Sequence, residues 1–212
     1  MRVAGGHTGL ALALVLASGM AADAATTAGS RVGTFATYRW SSSVKEAVPV
    51  LIRQSAPGGQ VSWSIAEEST TPPPIFVTYA VVRGDAKTYT LQIVTRGEVE
   101  GRPLSVTQVT VDRSSGKAVR SVIQRAKGVI ATPESGLRPF REAAVPGGPR
   151  EDVTVPAGRF TAVRGAAQGA DVWVSDRVPA LGLVKAVWPQ GTLELVRSGD
   201  TGAKDLLRPA TS

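Results

Sequence analysis

The chain has 212 residues, no cysteine and a formal net charge of +7 at pH 7. Its single histidine is His7, near the start of the chain. This composition excludes disulfide scaffolds, cysteine nucleophiles, Ser-His-Asp triads and thiolate or imidazole zinc sites from everything that follows residue 7.

Residues 1–7 carry Arg2 and no acid, residues 10–20 form a short apolar run, and Ala22 and Ala24 stand as small residues at the −3 and −1 positions of a cleavage site. That is the three-part layout of a secretory signal. A membrane span needs roughly 20 apolar residues, and this run has about half of that. The expectation is a signal peptide over residues 1–24 cut after Ala24, a single domain over 25–208, and a short tail over 209–212. No cysteine follows the apolar run, so lipid attachment at an N-terminal cysteine is not expected. With 18 Arg against 6 Lys and no Asn, the usage points to a GC-rich bacterial genome, and export then places the protein in the periplasm or outside the cell.

The remainder reads mainly as strands. Residues 33–40 are β-rich, with Phe35 alternating against Thr34 and Ala36. Residues 48–54 and 60–67 flank the turn material of Ala56, Pro57, Gly58 and Gly59, and the second run alternates through Val61, Trp63 and Ile65, as a hairpin does. Pro72, Pro73 and Pro74 stiffen the next loop. Residues 75–82 and 87–95 flank Gly84-Asp85, a second hairpin signal. Residues 106–112 alternate through Val109 and Val111, and residues 113–116 turn. Residues 117–130 are ambiguous: Val119, Val122, Ile123 and Ala126 have helical spacing, yet a returning strand fits as well. Residues 133–144 are a weak helix candidate, closed by the loop from Pro146 to Pro149. Beyond it the pattern is clearest. Residues 152–155, 160–164, 170–176, 182–188 and 192–198 form an antiparallel meander, with turn signals at the spacing of a sandwich, barrel or strongly curved sheet.

Few residues carry chemistry. Ser42 to Lys45 and Ser114 to Lys117 both satisfy S-x-x-K, a spacing that serves catalysis on a helical turn; one lies at a strand end and the other in a turn. Adjacent Glu67 and Glu68 point to opposite faces of a strand, and Asp171 and Asp176 differ in parity, so neither pair suits glycoside chemistry. No calcium loop or phosphate-binding glycine loop is present, and no metal or cofactor is expected. The basic residues are scattered without an aromatic-interleaved stripe, so nucleic acid is not an expected partner. The aromatic residues are the remaining clue. Trp40, Trp63, Trp173 and Trp188 all fall in expected strands, with Trp173 opposite in parity to Val172 and Val174 and Trp188 opposite to Val187. A sheet apolar on both faces must be covered on one and can line a cavity with the other.

The ordered series of residues 153–160 (VTVPAGRF), 172–185 (VWVSDRVPALGLVK) and 195–203 (LVRSGDTGA) resembles the C-terminal half of exported bacterial proteins related to the lipoprotein-carrier (LolA/LolB-like) superfamily. The resemblance covers roughly residues 151–204, and upstream the match is only in β content. Arg159 departs from the small polar residue more usual there. The resemblance implies a mainly β, α+β architecture: a curved antiparallel sheet forming an incomplete barrel with one or two helices around an apolar cavity that holds acyl chains.

The resulting expectation is a non-enzymatic periplasmic or secreted protein that binds or carries a lipid, a lipoprotein acyl chain or another hydrophobic ligand. Trp40, Trp63, Trp173 and Trp188 are the candidate lining residues, and the positive charge suits approach to an anionic membrane surface. The alternatives are an envelope interaction module with a filled core and, behind it, a His-free hydrolase.

Overall fold

The computed structural model describes residues 31–55, 61–125, 128–132, 148–167 and 169–207. The expected signal peptide, the helix candidate over 133–144 and the end of the tail lie outside them. Among the described residues there are thirteen strands and no helix. They are β1 (Phe35–Ser42), β2 (Glu46–Ser55), β3 (Val61–Thr70), β4 (Ile75–Gly84), β5 (Thr88–Arg96), β6 (Pro103–Asp112), β7 (Ala118–Arg125), β8 (Gly128–Thr132), β9 (Arg150–Val155), β10 (Gly158–Ala167), β11 (Ala170–Val174), β12 (Leu183–Trp188) and β13 (Gly191–Gly199).

Eleven of these build one antiparallel sheet in the order β8-β7-β6-β5-β4-β1-β13-β12-β11-β10-β9, while β2 and β3 pair only with each other. The sheet is open, with β8 and β9 at its two ends. It consists of two sequential meanders, β4 to β8 and β9 to β13, with β1 between them, pairing β4 on one side and β13 on the other. The second meander is the stretch in which the sequence pattern is clearest. Its first hairpin turns at Pro156-Ala157, and Gly158 supplies the φ of +125° that closes it, a conformation a side chain rarely adopts.

Strand formation follows the alternation. In β1, Ala36, Tyr38 and Trp40 are buried; in β4, Val77, Tyr79 and Val81; in β5, Tyr89, Leu91 and Ile93; in β13, Leu193 and Leu195. Aromatic and β-branched residues at every second position fit a pleated, half-buried surface. The ambiguous segment 117–130 resolves into two strands. Its helical spacing is overridden because β7 pairs along its length with β6 through a turn fixed by Asp112, whose carboxylate accepts the backbone N–H groups of Ser114 (3.1 Å) and Ser115 (2.8 Å). Between β11 and β12 the chain makes a compact turn. Ser175 N–H donates to Gly182 O at 2.7 Å, Gly182 N–H to Val178 O at 3.1 Å, and Val178, Ala180 and Leu181 are buried in the core. Pro179 sits within this turn, which plugs apolar side chains into the core.

Candidate ligand-binding face

The strand registers sort the side chains of the central strands into two faces. On one, Leu195, Tyr38, Val77 and Thr95 stand side by side on β13, β1, β4 and β5, followed by Ser105 on β6. The next row is Ala36, Tyr79, Ile93 and Thr107. Leu193 and Trp40 form the row on the other side, and Trp188 lies beside Gly191 at its end. We call this the aromatic face. Tyr38 and Tyr79 meet edge to face, with ring centroids 5.9 Å apart. Trp40 and Trp188 meet at 5.6 Å. Gly191 makes the second contact possible: a Cβ there would stand 2.7 Å from Trp40 Cζ2 and 2.4 Å from Ser41 O.

Polar groups on this face are treated unevenly. The Tyr38 hydroxyl donates to Leu183 O at 3.0 Å. The Tyr79 hydroxyl, Thr95 Oγ1, Thr107 Oγ1 and Trp188 Nε1 are buried with no hydrogen-bond partner. Burial raises the pKa of both tyrosines, and at Tyr38 the neighbouring Tyr79 adds to it, so both stay neutral donors. The face therefore combines large apolar surface with unspent, uncharged hydrogen-bonding groups.

The opposite face is ionic. Arg164, Trp173, Lys185, Glu194 and Arg39 form a row across β10, β11, β12, β13 and β1. Glu194 accepts from Arg39 at 3.0 Å and pairs with Lys185 at 3.2 Å. Partial burial works against its charge, yet these two partners hold its pKa below the ordinary value. Further along, Gln92 donates to Lys204 O at 2.9 Å and accepts from Leu206 N–H at 2.8 Å, while Gln108 donates to Asp205 at 2.6 Å and to Gln92 at 3.0 Å. Arg83 closes on the same Asp205. The C-terminal segment is thereby strapped over β4, β5 and β6.

The four tryptophans are not brought together. Trp40 and Trp188 share the aromatic face and touch. Trp173 lies on the ionic side, half-buried at the margin of the core, its Nε1–H donating to Glu151 at 3.0 Å and its ring 5.4 Å from the Arg164 guanidinium. Trp63 stands on β3 opposite Arg53, and the surroundings of its side chain lie outside the described residues. Sequence reading missed Tyr79, Thr95 and Thr107. The available signal was a threonine at the apolar parity of an alternating strand: Thr95 keeps step with Leu91 and Ile93, and Thr107 with Val109 and Val111.

The S-x-x-K hydroxyls are engaged elsewhere. Ser42 Oγ donates to Val44 O at 3.1 Å, and the Ser114 and Ser115 hydroxyls donate to Asp112 at 2.6 and 2.8 Å. Asp171 pairs with Arg164 at 3.4 Å. No group of three or more His, Cys, Asp or Glu is placed to hold a metal among the described residues. Comparison of the chain with protein-family models, curated proteins and solved structures finds no match.

Proposed function

We propose that this is a non-enzymatic exported protein that binds or carries a lipid or other hydrophobic ligand on the aromatic face of a curved, barrel-like sheet. The observation that carries the reading is the set of unpartnered polar groups, Tyr79 OH, Thr95 Oγ1, Thr107 Oγ1 and Trp188 Nε1, buried among large apolar side chains. A core built only for stability leaves few such groups unpaired, because each costs about 1–3 kcal/mol. A binding site combines a mostly apolar lining with a few convergent polar atoms. The resemblance of residues 151–204 to lipoprotein-carrier relatives points the same way, as does a net charge of +7 that favours approach to anionic membrane.

A second reading, an interaction module with a filled core, is favoured by a different observation. Tyr38, Val184 and Leu195 are 0 % exposed, so this part of the face is already fully covered. The experiment that separates the two is native mass spectrometry of the processed protein isolated from a bacterial envelope, followed by solvent extraction. A near-stoichiometric lipid adduct is expected. An apo mass that stays unchanged after incubation with phospholipid and fatty acid would leave the filled-core module standing.

A further inference from the structure

On the ionic face, polar side chains from three consecutive strands converge on one extended segment. Gln92 on β5 and Gln108 on β6 are direct register neighbours, 1 % and 8 % exposed. Over them runs the C-terminal segment, in which Lys204 and Asp205 are exposed and Leu206 and Leu207 half-buried. The Gln92 amide donates to Lys204 O at 2.9 Å and accepts from Leu206 N–H at 2.8 Å. In an extended chain the carbonyl of one residue and the N–H two residues on point to the same side, where an adjacent parallel strand bonds to both; here a single side-chain amide does so. The residue between them is held by its side chain. Gln108 donates to Asp205 Oδ1 at 2.6 Å, and Arg83 on β4 closes on Oδ2. Partial burial works against the charge of Asp205, yet Arg83 and Gln108 hold its pKa below the ordinary value.

These contacts select more than they stabilise. A hydrogen-bonded pair can be exchanged for apolar groups of the same shape at little cost, so an apolar segment on an apolar seat would be held as well. What two amides and a guanidinium add is a requirement for extended backbone and for one carboxylate. Gln108 also donates to Gln92 Oε1 at 3.0 Å, which fixes the amide that meets the backbone. The seat does not depend on its occupant. β4, β5 and β6 are each paired on both sides, and residues 203–207 belong to no strand, so the segment can leave without opening the sheet. It is joined to β13 through Gly202, whose φ is +101°. We propose that β4, β5 and β6 carry a peptide-recognition site: residues 203–207 occupy it in the isolated chain, and an extended segment of a partner protein, presenting an aspartate where Asp205 stands, takes their place. The site lies on the face opposite Tyr79, Thr95 and Thr107, and it does not rest on the apolar-ligand reading.

The test uses the full chain with two changes in the segment, Asp205→Ala/Leu206→Pro, which remove the carboxylate and the N–H that hold it and leave the seat intact. The probe is a fluorescein-labelled peptide of residues 201–208, followed by fluorescence anisotropy, together with the same peptide carrying Asp205→Asn. The double variant should bind the Asp peptide about tenfold more tightly than the wild type does, because the wild type's own segment competes. It should bind the Asn peptide about tenfold more weakly than the Asp peptide, as loss of a bond to a charged group implies. Adding Arg83→Gln to the double variant should abolish that preference; the Arg83 side chain is 62 % exposed, so the change spares the core. A folded double variant that binds neither peptide overturns the site and leaves the segment a structural strap. Equal binding of the two peptides overturns it as well, and so does a preference that survives Arg83→Gln. If the double variant fails to fold, hydrogen exchange at Leu206 N–H in the wild type decides. Excess Asp peptide should speed that exchange, and the Asn peptide should speed it less; no acceleration overturns the proposal.

Discussion

The two faces of the central strands differ in how their polar groups are finished. On the ionic face the buried or half-buried polar groups form chains: Arg39 and Lys185 on Glu194, Gln108 on Gln92 and Asp205, Thr37 on Thr78. Arg39 Nε is an isolated exception, on a guanidinium that is already bonded through another nitrogen. On the aromatic face, within the same strands, Tyr79, Thr95, Thr107 and Trp188 go without. Both faces come from one alternating sequence, so the contrast separates what stability requires from what it leaves open. The finished face straps the C-terminal segment over β4, β5 and β6. The unfinished one leaves four buried polar groups without a partner.

The largest effect expected from breaking this contrast is on the aromatic face. Trp40 packs on Trp188 and over Gly191, and Trp40→Ala should lose about 3–5 kcal/mol by denaturant titration at constant slope. Trp173→Ala, on the ionic side, removes a half-buried ring with one bond to Glu151 and one guanidinium contact, and should lose clearly less. Equal losses would mean that the two faces contribute alike to the core.

A matched pair of threonines sharpens the comparison with less perturbation. Thr37→Val removes a bonded hydroxyl and strands its partner on Thr78, which should cost about 1–2 kcal/mol. Thr95→Val removes an unbonded one and should be neutral or stabilising in the ligand-free protein. The difference in melting temperature between the two variants is the readout, and a loss at Thr95 as large as that at Thr37 would erase the distinction between the faces.

Much of the sheet was legible in the alternation. The hairpins around Ala56–Gly59, Gly84-Asp85 and residues 113–116 follow from turn residues between alternating runs, and so does the β9 to β13 meander, because local rules act over a few residues there. The strand between residues 118 and 125 was not decidable, since its apolar spacing fits both periods and pairing with β6 settles it. Parity placed Trp173 opposite Val172 and Val174, but no local rule says that Trp40 and Trp188, far apart in sequence, meet on the other face; that depends on β1 lying beside β13. The hydroxyl set was the least legible. An unpaired group is defined by what its neighbours across two strands fail to supply, which no single strand records. The strap over Gln92 and Gln108 is equally non-local, for it brings residues 204–206 onto β5 and β6.

Asp112 supplies the smallest test and the control for the others, because it acts at the end of the β6–β7 hairpin and on neither face. Its carboxylate accepts the side-chain hydroxyls of Ser114 and Ser115 and their backbone N–H groups, and these bonds lower its pKa to about 2. A carboxylate whose pKa is lower folded than unfolded adds stability that is complete above the unfolded value near 4 and is lost as pH falls toward the folded value. Wild type should therefore exceed Asp112→Asn in melting temperature at neutral pH by a small margin, and that margin should close as pH drops from about 4 toward about 2. The variant should leave ligand displacement unchanged at neutral pH. A shift in affinity there would tie the hairpin end to the aromatic face and show that the two faces cannot be perturbed separately from the sheet that carries them.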